Sequence, residues 1–212
     1  MSELGYACGV LCARGFIKKG RNNCIGLSTK NKELIDAFAA ALRSVCGRDM
    51  LVIQKTIAQK TYFTANIYGK HIVEIFGNIG FLPKRKTWSP PDIAYHNHDF
   101  RSSFLAGFFD ATSVVYFDRE KFLVSGNGYR YLRVTSVNLE GLIKIKKLLS
   151  LDGVESSLRS RNSLHYLVVK GKWRLVSFIN AIALRTQKKT RLRECISAST
   201  PSQLPNPTDR PQ

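Results

Sequence analysis

Two short stretches hold the residues best placed to do chemistry: Ala7–Gly15, which reads ACGVLCARG, and Leu105–Ser113, which reads LAGFFDATS. Each sets a glycine four residues before an alanine, Gly9 with Ala13 and Gly107 with Ala111, leaving one helix face bare enough for a second backbone to approach. Asp110 is the one acid in the pair, and Cys12 stands at the matching place in the first stretch. Cys8 and Cys12 share a helix face, but no histidine or second cysteine pair accompanies them, so they are read as packing residues rather than zinc ligands. His96, Asn97 and His98 spell HNH. A nuclease of that kind spreads the three residues over a ββα unit, so here they are read as the lead-in to the second stretch, with His98 or Asp99 capping its helix.

The surroundings of these stretches are strongly cationic. Lys and Arg number 33 against 15 Asp and Glu, a formal net charge of +18, while 44% of the 212 residues are hydrophobic. An ordinary apolar interior under a basic exterior excludes wholesale disorder and points to a polyanionic partner. The length suffices for one large domain or two small ones, each with its own core. The longest apolar candidates, around Leu34–Leu42 and Leu175–Leu184, are too short to span a bilayer, so no membrane is expected and nucleic acid is favoured over lipid. Glu3 stands where a signal peptide would be basic, and Arg14 where its cleavage site would be small, so the start is read as the first helix of the mature protein. Five cysteines, an odd number in mostly apolar surroundings, read as reduced thiols. That places the chain in the cytoplasm or on the nucleoid, or in an organelle matrix.

Proline punctuates the chain. Pro83, Pro90 and Pro91 mark a linker over residues 82–99, and Pro201, Pro205, Pro207 and Pro211 mark a disordered tail over 197–212. What remains is a first half, 1–81, and a second, 100–196, with matched landmarks: Gly9 with Gly107, Asn31 with Asn138, Gly69 with Gly171. Each half reads as a short apolar helix, a hairpin, a helix, a second hairpin and a last helix running into a basic cluster, an α+β fold of two pseudo-symmetric αββαββα units. In the first, Ala7–Gly15 is helical, Phe16–Leu27 is a hairpin turning at Gly20–Asn23, and Lys32–Val45 is a helix capped by Ser28–Asn31 and stopped at Gly47. Strands over Met50–Ile57 and Thr61–Ile67 and a helix over Lys70–Ile79 complete it. In the second, helices over Phe100–Ala111, Leu139–Leu151 and Trp173–Leu184 alternate with strands over Ser113–Val124, Tyr129–Thr135, Ser156–Arg161 and Leu164–Val169.

With two such motifs, each followed by the same succession of elements, the chain resembles the LAGLIDADG homing endonucleases in their single-chain, two-motif form. The resemblance runs from Gly5 to about Cys195, and FLAGFFDA is its most specific part. It implies that the motif helices pack at a pseudo-twofold axis and that the antiparallel sheets form a saddle along the DNA major groove. It also implies that the eighth motif position of each copy delivers a carboxylate to a divalent metal. Those positions are Arg14 and Thr112. Hard cations such as Mg²⁺ need oxygen ligands, a guanidinium repels them, and a hydroxyl is a poor replacement for an anion. The reading is therefore of a protein without strand cleavage and without a cofactor. Mg²⁺ enters only under the alternative of an active or nicking endonuclease, with Asp110, Asp118 or Glu120 as relocated ligands; Asp110, at position six, lies about 160° around the helix from position eight. Arg14 is open to two readings, a phosphate contact or a solvated helix-end cation.

The strands and their flanks supply the expected DNA contacts. In the first half these are Lys18, Lys19, Arg21, Asn23, Lys55, Gln59 and Lys60, with Gln54 and Tyr62 beside them. In the second they are Arg119, Lys121, Arg130, Arg133, Arg159 and Arg161, with Tyr116, Tyr129, Tyr131, Asn162 and His165. Lys84 and Lys86 after the last helix of the first half, and Lys188 and Lys189 after the last helix of the second, are read as phosphate anchors, the resemblance placing a lysine of this kind beside the active site. The function expected is sequence-specific binding of double-stranded DNA over a long asymmetric site, as a monomer, with a regulatory role as one outlet. RNA is the other partner to consider, since an intron maturase can use the same fold. A bacterial transcription-regulator family with a LAGLIDADG-like domain appends a helix-turn-helix, for which the proline-rich stretch after Thr190 is expected to leave no room.

Overall fold

A computed structural model describes residues 1–81, 87–118 and 129–197. Helix α1 (Ser2–Ala13) leads into β1 (Phe16–Lys18) and β2 (Cys24–Thr29). Helix α2 (Lys32–Cys46) opens on Asn31, whose side chain accepts the Leu34 N–H at 3.3 Å, and stops at Gly47, which takes the left-handed φ of 65°. Strands β3 (Leu51–Ile57) and β4 (Lys60–Tyr68) are joined through Ala58 and Gln59, both at positive φ, the two-residue turn that matches strand twist. Helix α3 (Lys70–Asn78) closes the half. The strands form an antiparallel sheet in the order β1-β2-β4-β3.

The second half repeats the plan. A short α4 (Ile93–His96) precedes α5 (His98–Thr112), β5 (Val114–Phe117) and β6 (Arg130–Ser136). Helix α6 (Leu139–Leu151) opens on Asn138, the counterpart of Asn31, which accepts the Gly141 N–H at 3.0 Å. Strands β7 (Ser157–Arg161) and β8 (Leu164–Lys170) and helix α7 (Lys172–Ala181) follow, in a second antiparallel sheet of order β5-β6-β8-β7.

Three local expectations change. The cap of α5 is Asn97, not His98 or Asp99: Asn97 is extended (φ −116°, ψ 113°) and accepts the Phe100 N–H at 2.8 Å, whereas the other two already lie in the first turn. The basic stretch after the second half is a helix, α8 (Lys188–Ser197), seated through buried Leu192 and Cys195, so Ser197 ends a helix rather than starting a tail. Within the proline-marked linker, Trp88 is buried with its ring 5.2 Å from that of Phe108, and its carbonyl accepts from the Asn138 side chain at 2.7 Å.

Helices α1 and α5 form the centre. A Cβ on Gly9 would collide with the Phe104 carbonyl, and one on Gly107 with the Tyr6 carbonyl. Gly5 makes a third such contact, where a Cβ would sit 2.6 Å from the Phe100 oxygen. Both helices are largely buried, α5 with Arg101 and Asp110 among its buried residues, and burial of Phe104, Phe108 and Phe109 contributes roughly 1.5–3 kcal/mol apiece. Cys8 and Cys12 lie in this core, where burial pushes both thiols well above their ordinary pKa. Among the described residues no helix is long and apolar enough to cross a membrane.

Candidate nucleic-acid interface

Strand parity decides which side chains face away from the helices. In the first sheet Ile25, Leu27, Ala65 and Ile67 are buried against the helices, so the opposite parity carries Lys18, Ser28, Lys55, Lys60, Tyr62, Thr64 and Asn66. In the second, Leu132, Val134, Leu167 and Val169 are buried, and Tyr116, Tyr131, Arg133, Arg159, Arg161 and Tyr166 lie on the free face. Lys19 and Arg21 are exposed in the β1–β2 loop, which Asn23 helps to close by accepting the Gly20 N–H at 3.4 Å. Gln59 sits in the β3–β4 turn and Lys189 in the first turn of α8.

Arg130 is a correction. It shares the parity of Leu132 and therefore faces the helices, where its Nη1 donates to the Cys195 carbonyl at 3.0 Å and its guanidinium lies 5.7 Å from the Phe117 ring. Gln54 and His165 are likewise on the helix-side parity, opposite Phe63 and Ser160. A basic residue in a strand was counted without its parity, and in a two-residue repeat that error changes the face. Lys84, Lys86, Arg119 and Lys121 lie outside the described residues, as does Glu120.

At the pseudo-twofold centre, Arg14 caps α1 and is exposed, with no side-chain partner among the described residues. Asp110 is buried and fully engaged: it accepts from Tyr6 Oη at 3.1 Å, the Arg185 N–H at 2.8 Å and Thr186 Oγ1 at 2.7 Å. Burial and the neighbouring Asp110 carboxylate raise the Tyr6 pKa. The chain from Arg185 to Lys188 is pinned to both halves, since Arg185 pairs with Glu3 at 2.6 Å and the Gln187 N–H donates to Glu33 at 2.9 Å. Held so, Lys188 Nζ donates to the carbonyls of Phe109 and Asp110 at 3.0 and 2.6 Å, a cation at the negative end of α5. Burial lowers its pKa to about 8, with Arg14 and Arg191 pushing the same way and Asp110 opposing them. The sequence reading had the lysine but missed Arg185, Thr186, Glu3 and Glu33. Arg185 and Thr186 stand just before the second basic cluster, whereas nothing in the sequence links Glu3 or Glu33 to it.

No protein-family model matches the sequence, and no curated protein matches it. Solved structures do. The homing endonuclease I-WcaI bound to its DNA recognition sequence superposes with a TM-score of 0.67 at 12% identity, over 93% of this chain and 87% of that one. I-DmoI in complex with DNA and Ca gives 0.63 at 13%, over 91% and 97%. Full-length DUF199/WhiA from Thermatoga maritima gives 0.62 at 13%; the match takes in 93% of this chain and spans 61% of that protein's length. This chain has the LAGLIDADG fold.

I-DmoI has been solved in complex with DNA and Mn as well as with DNA and Ca, and the residues between the two motif helices here do not fit a divalent ion. Arg14 and Thr112 stand at the two acid positions, the Asp110 carboxylate is spent on three hydrogen bonds, and an ammonium occupies the carbonyls at the end of α5. Among the described residues no group of three or more His, Cys, Asp or Glu could hold an ion. The centre carries the Lys188 ammonium with Arg14 and Arg191 near it.

Proposed function

We propose that the chain binds duplex DNA sequence-specifically, without divalent metal and without cutting it, and acts by occupying its site. The observation that carries this reading is the cationic centre: Lys188 is seated on the end of α5, with Arg14 and Arg191 close enough to lower its pKa, where cleavage would need two acids. A phosphate there takes direct charge-assisted hydrogen bonds in place of a metal bridge. The free sheet faces supply Lys18, Lys55, Arg133, Arg159 and Arg161 for phosphates and base edges. The solved DNA complexes of I-WcaI and I-DmoI support duplex DNA as the partner of this architecture. Both halves of the interface come from one chain, which suits a monomer on a long asymmetric site. Occupancy without cleavage suits a regulator.

The test is selection from a random duplex library, followed by affinity measurements with Mg²⁺ and with EDTA. Affinity is expected to be unchanged in EDTA and to fall with salt at a log–log slope of about −5 to −9, for roughly 6 to 10 neutralised phosphates. The selected duplex is expected to stay intact with Mg²⁺ or Mn²⁺. Cleavage at that site, or binding lost in EDTA, overturns the metal-free reading.

A further inference from the structure

The matching registers of the two sheets allow their free faces to be compared position by position. Gly26 pairs with Phe16 and Asn66, and Arg133 pairs with Val114 and Val168, so Arg133 occupies in the second half the place of Gly26 in the first. By the same register Tyr131 answers to Cys24, Tyr166 to Thr64, Arg159 to Ile53 and Arg161 to Lys55. One face thus centres on arginine held among tyrosines. The other centres on a glycine flanked by the Phe16 ring and the Asn66 side chain, with Leu51 and Ile53 on the outer strand.

The arginine is fixed before any ligand arrives. Its guanidinium carbon lies 5.8 Å from the Tyr131 ring and 5.5 Å from the Tyr166 ring, and Tyr131 is itself stacked on Tyr116 at 4.8 Å. Arg133 Nε is buried without a hydrogen-bond partner. Arg159 and Arg161 stand on the same face, and the groove of about 450 Å³ that all three line also takes in Lys170. A planar fork of donors held this way matches the O6 and N7 acceptors that guanine alone presents together in the major groove. The first half has no arginine on its free strand positions. There Leu51 and Ile53 are exposed, and the hydroxyls of Ser28 and Thr64 are bonded to each other at 3.1 Å. Apolar side chains at such positions suit the thymine methyl.

We infer that the two halves read half-sites of opposite composition, the second centred on guanine through Arg133, Arg159 and Arg161, the first on A·T pairs through Leu51 and Ile53. This rests on the duplex-DNA reading above. In the selected site, guanine is expected to be enriched in the half that the second sheet covers. Replacing the central guanine there by 7-deazaguanine should weaken binding roughly 5- to 150-fold, the range of one bidentate contact. Arg133→Ala should lose a similar factor and no longer respond to 7-deazaguanine. Arg133→Met, which keeps length and apolar contact with the rings but has no donor, should show the same insensitivity and so guards against a folding defect in the alanine variant. Uracil for thymine in the other half should weaken the unaltered protein and leave Ile53→Ser unaffected. A site with equal composition in both halves, or guanine sensitivity that survives both Arg133 variants, overturns the inference while leaving duplex binding intact. Failure to enrich any duplex overturns the binding reading instead.

Discussion

Helices α1 and α5 make the same contact with each other and end differently. Along their shared face the two are near copies, with Gly9 on the Phe104 carbonyl and Gly107 on the Tyr6 carbonyl. At their C-terminal ends α1 stops at exposed Arg14, whereas α5 is sealed by a pinned segment that donates to Asp110 and sets Lys188 on its last carbonyls. Backbone-to-backbone contact admits hydrogen at Cα and little else, so those positions cannot diverge while the fold survives. The positions three residues further along carry no such constraint. One became Cys12, buried in the apolar core, and the other, Asp110, became the anchor of a segment far along the chain.

The largest effect expected follows from the shared face. Gly9→Val and Gly107→Val should each cost well over the usual ~1–3 kcal/mol of an overpacked core, because the obstruction is a carbonyl that belongs to the other helix and not a side chain that can turn away. Chemical denaturation of the two variants checks this, and a large cost at one position with tolerance at the other would show that the helices do not meet symmetrically.

Next is the divergent pair. Asp110→Ala leaves Tyr6, Thr186 and the Arg185 N–H without their acceptor, a loss on the order of 3 kcal/mol, while Cys12→Ala removes only buried sulfur and should cost about 1 kcal/mol. Equal losses would mean that the network around Asp110 contributes little beyond packing.

The legible and illegible parts of this molecule divide along the same line. Gly9, Gly107, Asn31, Asn138, Gly47 and the apolar stripes were readable because glycine contacts, caps and helix periodicity are local and leave a mark in residue type. Element boundaries over Leu139–Leu151 and Lys32–Cys46 followed from those marks within a residue. The face of Arg130 required strand register, which depends on where Leu132 points. The hold of Asp110 on Thr186 joins residues that only the fold brings together, and no spacing rule reports it. The α8 helix was hidden by its charge: Leu192 and Cys195 alone carry its buried side.

Lys188 gives the two helix ends different pH behaviour. Its ordinary pKa of 10.5 applies in the unfolded chain and about 8 in the folded one, so between these values the unfolded chain binds more protons and the free energy of unfolding rises with pH. Below about pH 8 the fold carries the buried ammonium beside Arg14 and Arg191 at a cost, offset in part by Asp110. Stability measured from pH 8 upward should therefore increase, and Lys188→Met should flatten that increase. DNA affinity should move the other way, falling as the ammonium is lost. Arg14→Met should also lower affinity and, because the Arg14 charge helps to hold the Lys188 pKa down, should weaken the rise of stability with pH without abolishing it. A stability profile that falls above pH 8 in the unaltered protein but not in Lys188→Met would reverse the assignment.

The smallest effect separates the two faces of one strand. Arg130 and Arg133 lie three residues apart on β6, with opposite parity: the first donates to the Cys195 carbonyl of α8, the second sits between Tyr131 and Tyr166 on the free face. Arg130→Ala should loosen the docking of α8 by about 1 kcal/mol, the usual net worth of such a hydrogen bond, and leave DNA affinity nearly unchanged. Any affinity change should come only through Lys188 at the start of that helix, and should therefore disappear above pH 8, where Lys188 is neutral. Arg133→Ala loses the contacts with the Tyr131 and Tyr166 rings, about 0.5–1 kcal/mol each, and should act on base preference at every pH. Thermal unfolding beside binding titrations at pH 7 and pH 9 resolves the four quantities. If Arg130→Ala changes base preference as strongly as Arg133→Ala does, the parity that divides this sheet into a structural face and a reading face is wrong.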